Sequence, residues 1–452
     1  MRGAGDLMTK IYKPSMFNYM VENGGELILY NSFVGVKSIL TVSERNKEIV
    51  KNILCQKTLQ DNLGEIEMTL FNHGFLVPSE VNEKTKRDFL FSEVVNSNTL
   101  DLVITVTEKC NFVCKYCSAE FAKGKMSEKV QDNIIEFVQK NIYRYNDMRV
   151  EWFGGEPLLC VDIIEKLSAR FIEICRKAHK GYSAAITTNG YLLDLHTFKT
   201  LYNNKVIAYQ ITLDGLKSEH DNQRCLTNQK GTFDVILSNL LDIKNNTKSA
   251  FFRINIRTNF TKAIVNSIDE YLEFYKDQFG GDDRFDFFIR AAEDWGGERV
   301  KSFTGLLSEN EENTLVDKIF LHDPKIDFNM NYSFLEPART VCHAVRKNMF
   351  NIGCDGKVYK CDSSIDIACI GELCDGGKMV VDEYKIALWA YGTRYISPEC
   401  DECFFSCSCI KGGCPLDIVK GFDPKNKRCS FEKKNIDGLL RLFVKTQKTI
   451  VL

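Results

Sequence analysis

The chain lacks an excess of charge of either sign. Its 59 Lys and Arg stand against 61 Asp and Glu, for a net charge of -2. That argues against a nucleic-acid partner held by a bulk basic field. No apolar run reaches the length of a membrane span, about 18 residues, so no transmembrane helix and no membrane partner is expected. The opening residues, MRGAGDLMTKIYKPSMF, lack the apolar stretch of a signal peptide, which points to a cytoplasmic protein. Low-complexity tracts and short tandem repeats are missing as well.

Cysteine, by contrast, is abundant: 18 in 452 residues. A reducing cytoplasm does not favour a disulfide framework. The cysteines are also grouped. Three lie within 110–117 and eleven within 342–429, leaving Cys55, Cys160, Cys175 and Cys225 elsewhere. Groups at short spacing in a reduced compartment point to zinc or iron–sulfur. Apolar residues make up 44 % of the chain, enough to bury a core.

Five regions follow along the chain. Residues 1–95 read as a small leading domain. Its β-rich text at 26–40 is broken by Gly35, and Ser43 is placed to N-cap an amphipathic helix. A further helix ends at Gly74, a strand follows at 75–77, and 78–98 reads as a linker helix. A strand pair with short helices fits a winged-helix module. Residues 96–305 alternate strands (102–106, 149–153, 183–187, 208–213, 252–258, 285–290) with helices (129–143, 162–178, 233–244, 268–275). The fold class is therefore α/β, with a parallel sheet sized for a partial (β/α)6 TIM-like barrel and a doubly wound sheet as the alternative. Residues 306–340 form a bridge. The segment 341–435 is rich in cysteine, glycine and turn residues, and its stability is expected from bound metal. An amphipathic helix at 436–446 opens the last region, 436–452.

Cys110, Cys114 and Cys117 follow the first barrel strand with C-x3-C-x2-C spacing. Three thiolates on one loop can hold three irons of a cubic cluster and leave the fourth open to a small molecule. Loops after barrel strands form the active face. The plain alternative is a zinc knuckle short of one ligand. With Tyr116 before the last cysteine, this text resembles the radical S-adenosylmethionine (SAM) family. Further text occurs in that family's order: FGGEP at 153–157, TTNG at 187–190, and TLDG at 212–215 followed by His220, Asp221 and Arg224. The resemblance implies a SAM-binding 4Fe-4S cluster on the three cysteines. It also implies SAM contacts from Gly154, Gly155, Glu156, Thr188, Asn189, Asp214 and Arg257. The two glycines would let backbone approach the SAM amino group, and Glu156 would accept its hydrogen bond. Arg253, Asn255 and Arg257 alternate along one strand and can share a face. A buried Arg there needs an anionic partner; the SAM carboxylate is one candidate and an ion pair on the strand another.

Cys342-x13-Gly356-x4-Cys361 is followed by Cys400-x2-Cys403-x5-Cys409-x4-Cys414 and then Cys429. This resembles the SPASM extension of radical SAM enzymes, except that the gap before Cys414 is one residue longer. By resemblance, Cys342, Cys361 and Cys414 would ligate one auxiliary 4Fe-4S cluster. Cys400, Cys403, Cys409 and Cys429 would ligate a second, making three clusters in all. Two cubic clusters want eight ligands, and this pattern supplies seven. Among the spare Cys354, Cys369, Cys374 and Cys407, the first candidate for the eighth is Cys354, just before the Asp355-Gly356 turn. Otherwise all four are packing residues, or the first auxiliary cluster stays open for a substrate thiolate. Zinc fits the C-x2-C pairs but leaves the upstream motifs unexplained. Asp362 follows Cys361 in GKVYKCD, text similar to that of anaerobic sulfatase-maturing enzymes, whose matching Asp serves as a base. It is the candidate catalytic base here, with a hairpin-capping role as the alternative.

LYNSFVG at 29–35 and NHGFLVPSEVNEKTK at 72–86 resemble the precursor-recognition module of peptide maturases. The implied partner is a ribosomally made precursor peptide whose leader adds as a strand to the wing sheet. The implied activity is thioether formation from a substrate Cys sulfur to a backbone or side-chain carbon, by way of a 5′-deoxyadenosyl radical. An electron donor such as flavodoxin or ferredoxin would reduce the cluster. Three other functions stay open. One is a carbon–carbon or carbon–oxygen crosslinking or epimerising maturase. Another is a sulfatase-type formylglycine maturase. The third is a winged-helix metal-binding scaffold with no enzymatic role.

Overall fold

The computed structural model describes residues 10–59, 62–119, 123–248, 251–294, 297–321, 332–339, 341–361, 368–392, 397–409, 414–421 and 429–452. Strands β1 (Tyr12–Pro14), β2 (Asn18–Asn23), β3 (Glu26–Asn31) and β4 (Gly35–Val42) precede the helix Glu44–Cys55. β2, β3 and β4 form an antiparallel meander, while β1 pairs with β5 (Leu76–Pro78). The period-2 alternation of β3 splits the faces of this sheet. Leu27 and Leu29 pack with Leu40, Val50 and Ile53 beneath the helix Glu44–Cys55. Ile28 and Tyr30 face the other way, where Ile436 and Leu440 of the helix Ile436–Thr446 cover them. Ser43 stands at the N-cap position of Glu44–Cys55, but its side chain makes no capping bond. The helix Glu83–Val95 follows, capped by Asn82, whose side chain accepts from Thr85 N–H.

Six strands then wind in sequence order: β6 (Thr99–Thr107), β7 (Asp147–Gly154), β8 (Gly181–Thr188), β9 (Val206–Thr212), β10 (Arg253–Phe260) and β11 (Phe285–Ala291). All are parallel to their neighbours. A doubly wound sheet reverses its strand order at a switch point. No reversal occurs here, so barrel-type winding is the one adopted. One face of the sheet sends Ile104, Trp152, Ile186, Ile211 and Ile256 into the helix layer. Trp152 stacks there on Phe171 of the helix Val161–Lys177, at 6.4 Å. The alternate residues Glu151, Thr187, Gln210, Asn255 and Arg257 face inward. The result is a polar lumen, in which Thr187 Oγ1 donates to Glu151 at 3.1 Å.

The segment 341–435 is not ordered by metal alone. β12 (Met349–Ile352) adds to the barrel sheet parallel to β6, and β13 (Lys357–Tyr359), β14 (Cys369–Cys374) and β15 (Lys378–Val381) continue it antiparallel. The ten-stranded sheet thus carries the cysteine-rich segment on its own edge. β16 (Ile450–Val451) returns to β4 and pairs with it in parallel. Among the described residues, no helix is long and apolar enough to cross a membrane.

Candidate active site

Cys110, Cys114 and Cys117 lie on the loop that leaves the C-terminal end of β6. Two backbone runs hold this loop. Val113 N–H and Lys115 N–H donate to the carbonyls of Cys225 and Gln223, at 2.9 and 3.0 Å. From the next strand, Gly155 N–H donates to the Thr107 carbonyl at 3.0 Å and Glu156 N–H to the Lys109 carbonyl at 2.9 Å. Glycine is required at this crossing. Gly154 has a φ of +142°, and a Cβ on it would lie 2.1 Å from the Thr107 carbonyl oxygen. A Cβ on Gly155 would lie 2.4 Å from the Glu108 carbonyl oxygen. The close approach these glycines permit here is to the cysteine loop's own backbone.

Glu156 is fully buried and saturated with donors. Its Oε1 accepts from Leu158 N–H at 2.9 Å and Thr188 Oγ1 at 2.7 Å, and its Oε2 accepts from Asn189 N–H at 2.8 Å. Burial pushes its carboxyl up, and these hydrogen bonds oppose the shift. Glu156 therefore ties the end of β7 to the end of β8. Asn189 carries the tie onward, its Nδ2 donating to Asn111 Oδ1 at 2.8 Å inside the cysteine loop.

Asp214 is the second buried carboxylate. Its Oδ1 accepts from Asn259 N–H at 2.7 Å, its Oδ2 accepts from the Tyr116 hydroxyl, and Arg224 stands 3.9 Å away. Burial raises its pKa, and Arg224 pulls it back. Arg224 in turn donates to the Tyr116 hydroxyl at 2.7 Å. Arg257 joins from β10, its Nε donating to Asn259 Oδ1 at 2.8 Å. Burial lowers the pKa of Arg257, and the like charge of Arg290 adds to this. Arg253, on the same face, lies at the far end of β10 and pairs with Asp286 at 3.1 Å. Sequence reasoning missed Asn259. Extending the alternating row Arg253, Asn255, Arg257 by one step would have found it.

The text after TLDG has a structural account. Asp221 Oδ1 accepts from Thr232 N–H and Phe233 N–H at 2.7 and 2.9 Å, closing the start of the helix Phe233–Asn246. His220 Nδ1 accepts from Asp214 N–H at 3.2 Å, so its Nε2–H faces Thr232 Oγ1 at 3.0 Å. Burial holds this imidazole well below its ordinary 6.5. A histidine kept neutral in the fold stabilises above its unfolded value and loses that contribution as pH falls through it. We expect stability to begin declining as pH falls through about 6.5 and to decline more steeply below it, with up to about 1.4 kcal/mol per pH unit due to this residue. His220→Gln should flatten the slope in urea titrations below that pH. An unchanged slope would remove the assignment.

The cysteine loop fits a cluster by its donors. Burial pushes the Cys110 thiol up to about 11 and the Cys114 thiol up to about 12, each also raised by its cysteine neighbours and lowered by Arg224. A bound cation inverts that balance and draws the thiols into thiolate form. Among the described residues, no three His, Cys, Asp or Glu side chains converge on a single point, as one metal ion requires. A cubic cluster spaces its thiolates more widely.

In the cysteine-rich segment, Lys433 donates to Cys429 Sγ at 3.5 Å and is also drawn to Cys403. Cys403 and Cys409 both pack against the apolar cluster that contains Phe405. The Cys400–Cys403 turn is gripped from the leading region: buried Arg87 donates to Asp401 Oδ1 and to its carbonyl, both at 2.7 Å, and Lys84 pairs with Asp401 at 2.8 Å. These two cations hold the Asp401 carboxyl down at about 2. Sequence reading gave no role to either residue. Lys360 is wholly buried, donating to the carbonyls of Arg346 and Met349 at 2.5 and 2.9 Å. Burial draws it down to about 7, against the pull of Cys342 and Asp101. Cys342 and Cys361 thus share the Lys360 end of the β12–β13 hairpin.

Cys354 lies elsewhere on this hairpin. It sits in the turn at the opposite end, near Glu108 and Lys123. The four residues of β12 at about 3.3 Å each set the two ends roughly 13 Å apart. Cys407 is turned toward Ser32 of the leading region. Cys369 pairs with Tyr359, two residues before Cys361. Asp362 and the gap 410–413 before Cys414 lie outside the described residues.

This combination of barrel, cysteine loop and strand-end motifs defines a radical SAM domain, and residues 104–274 match the radical SAM superfamily. The chain carries a radical SAM domain, and that superfamily works with a 4Fe-4S cluster and SAM. Its curated relatives include a sulfatase-maturating enzyme and GTP 3',8-cyclases. It is 25 % identical over 349 residues to a cysteine-type anaerobic sulfatase-maturating enzyme of Clostridium novyi (strain NT), across 73 % of this chain and 84 % of that protein. Its fold is similar to native anSMEcpe with bound AdoMet and Kp18Cys peptide, with a TM-score of 0.58, 18 % identity, and coverage of 77 % of this chain and 96 % of that one. It is also similar to Streptococcus suis SuiB bound to precursor peptide SuiA, with a TM-score of 0.50, 15 % identity, and coverage of 93 % and 99 %.

Proposed function

We propose that this chain matures a ribosomally made precursor peptide and installs thioether crosslinks from Cys sulfur to carbon. One observation carries the reading. The fold of a protein seen with a precursor peptide spans 93 % of this chain, whereas the anSMEcpe fold spans 77 %. The β2–β4 sheet, packed on the cysteine-rich segment, is suited to hold an extended peptide. When bound, SAM and its cluster would supply hydrogen-atom abstraction, while the chain supplies orientation and exclusion of water. Cys110, Cys114 and Cys117 would hold that cluster, with Gly154, Gly155, Glu156, Thr188, Asn189, Asp214 and Arg257 around SAM. Arg257 offers a partly buried guanidinium for an anionic group. Cys342, Cys361 and Cys414 would hold one auxiliary cluster, and Cys400, Cys403, Cys409 and Cys429 the other. With Cys354 distant, the eighth auxiliary position falls to Cys369 or to a substrate thiolate. Asp362 remains the base in this scheme, and a small reductase such as flavodoxin or ferredoxin the electron donor.

A formylglycine maturase is the second reading, favoured by the likeness to the Clostridium novyi enzyme over 73 % of this chain. Mass spectrometry separates the two. The test peptide is the one encoded by the short reading frame beside this chain's gene, co-expressed under anaerobic conditions. A thioether removes two hydrogens and one alkylatable thiol per crosslink. A formylglycine made from Cys also loses two hydrogens and the thiol, but it exchanges sulfur for oxygen and leaves an aldehyde. An unmodified peptide would sink the first reading.

A further inference from the structure

The chain itself occupies one edge of the β2–β4 sheet. In β16, Ile450 stands opposite Leu40 and Val451 opposite Thr41. Leu452 N–H donates to the Thr41 carbonyl at 2.8 Å, and Ser43 N–H donates to the Leu452 carbonyl at 2.9 Å. The hydroxyls of Thr41 and Thr449 meet at 2.9 Å. Leu452 packs against the apolar cluster that contains Leu40, Val42, Val50 and Ile53. The Ser43 backbone is thus engaged at the place where a side-chain cap was expected.

The rest of the rim is engaged more firmly. Along β2, Arg441 donates to the Glu22 carbonyl at 3.1 Å and Tyr19 to Asp437 at 2.5 Å, both from the helix Ile436–Thr446. The Gly35 end of β4 abuts Glu336, whose carboxylate would lie 2.0 Å from a Cβ there. The stretch at Leu40 and Thr41 is held by a short segment instead. Ile450 and Val451 are 55 % and 66 % exposed, and only Leu452 enters apolar surroundings. A strand with few buried contacts opens at low cost. An edge meant only to be blocked is guarded by charge, proline or a bulge. This segment offers Ile, Val and Leu, the residues of a strand ligand.

We propose that residues 449–452 are a displaceable self-ligand of the β4 edge, which the substrate peptide must evict to add its own strand. This rests on the peptide-maturase reading. The edge then selects an extended peptide with an aliphatic side chain at the place of Leu452 and a hydroxyl at that of Thr449. Apparent affinity falls by the fraction of protein whose edge is free, so occupancy of about nine-tenths weakens binding about 10-fold.

Two titrations test this. The first uses a labelled peptide of residues 445–452, KTQKTIVL, on the intact chain and on a chain shortened after Thr446, which keeps the helix. We expect saturable binding to the shortened chain, about 10-fold weaker binding to the intact one, and loss of binding for the peptide carrying Leu452→Asp. Equal binding to both chains, or no effect of Leu452→Asp, overturns self-occupancy. The second uses the peptide from the neighbouring reading frame on the same two chains. About 10-fold tighter binding to the shortened chain, with displacement by KTQKTIVL, is expected. Equal affinities overturn the competition. Binding to neither chain sinks the peptide reading and the competition with it, while the first titration still decides occupancy. Hydrogen exchange needs no variant: the Leu452 amide should exchange far faster than that of Leu29 in β3, and equal protection would overturn displaceability.

Discussion

Replacing Cys110, Cys114 and Cys117 together by alanine should abolish SAM cleavage and remove about four irons per chain, while leaving the fold intact. The loop depends little on its thiols for shape, although Phe112 N–H donates to Cys110 Sγ at 3.4 Å within it. Backbone bonds from Cys225, Gln223, Gly155 and Glu156 hold it, and none of these involves a cysteine side chain of the loop. The three side chains are only partly buried, so truncation costs about 1 kcal/mol each at most. The rate of SAM cleavage should fall below about a thousandth of wild type, at least about 4 kcal/mol in the barrier. Iron content, circular dichroism and product analysis under anaerobic conditions read the three effects separately. Retained SAM cleavage in the triple variant would refute the assignment of this loop. Loss of the fold along with the iron would refute the claim that backbone bonds suffice.

The second large effect is on stability. Asp214→Ala should cost about 3–5 kcal/mol, because it leaves a buried guanidinium without its carboxylate. Arg224 has a side chain only 8 % exposed, and its Nε finds no hydrogen-bond partner. Its nearest polar groups are the Tyr116 hydroxyl at 2.7 Å and the Asp214 carboxylate at 3.9 Å, with Cys114 and Glu156 also within electrostatic reach. Without Asp214, Asn259 N–H and Tyr116 also lose their acceptor. Asp214→Asn keeps the shape and part of the bonding, so it should lose roughly half as much. Urea unfolding of the three proteins at pH 7 gives the comparison. A loss below about 1 kcal/mol for Asp214→Ala would mean that Arg224 finds another partner, and the buried network would need redrawing. Tyr116 immediately precedes Cys117, so both variants should also weaken SAM binding through the geometry of that loop.

Much of the barrel was legible because its signals are local. Trp152 and Val150 alternate with polar neighbours within one strand, and the helix 161–177 repeats its apolar positions within a few turns. Each of those patterns fits inside a short window. The chemistry-bearing motifs were legible for the same reason: C-x3-C-x2-C and GGEP carry their meaning in spacing. The roles of single residues were less legible. Gly154 and Gly155 read as places for a ligand, yet their missing Cβ atoms first admit the backbone of residues 107–109. Asp221 and His220 read as part of a functional motif, and they cap a helix and brace Asp214.

By itself, the sequence determined the α/β alternation, the grouping of the cysteines, and the order of motifs that marks a radical SAM barrel. Tertiary structure alone decided four other matters. It joined Met349–Ile352 to β6, a pairing of a four-residue strand across more than two hundred positions, too short to announce itself. It set Cys354 near Glu108 and Lys123, in the turn of the β12–β13 hairpin. It also returned Ile450–Val451 to β4 and clamped Asp401 with Arg87. The physical reason is common to all of these. Periodicity and spacing are properties of neighbouring residues, whereas strand addition and buried ion pairs depend on which distant surfaces meet once the core has formed.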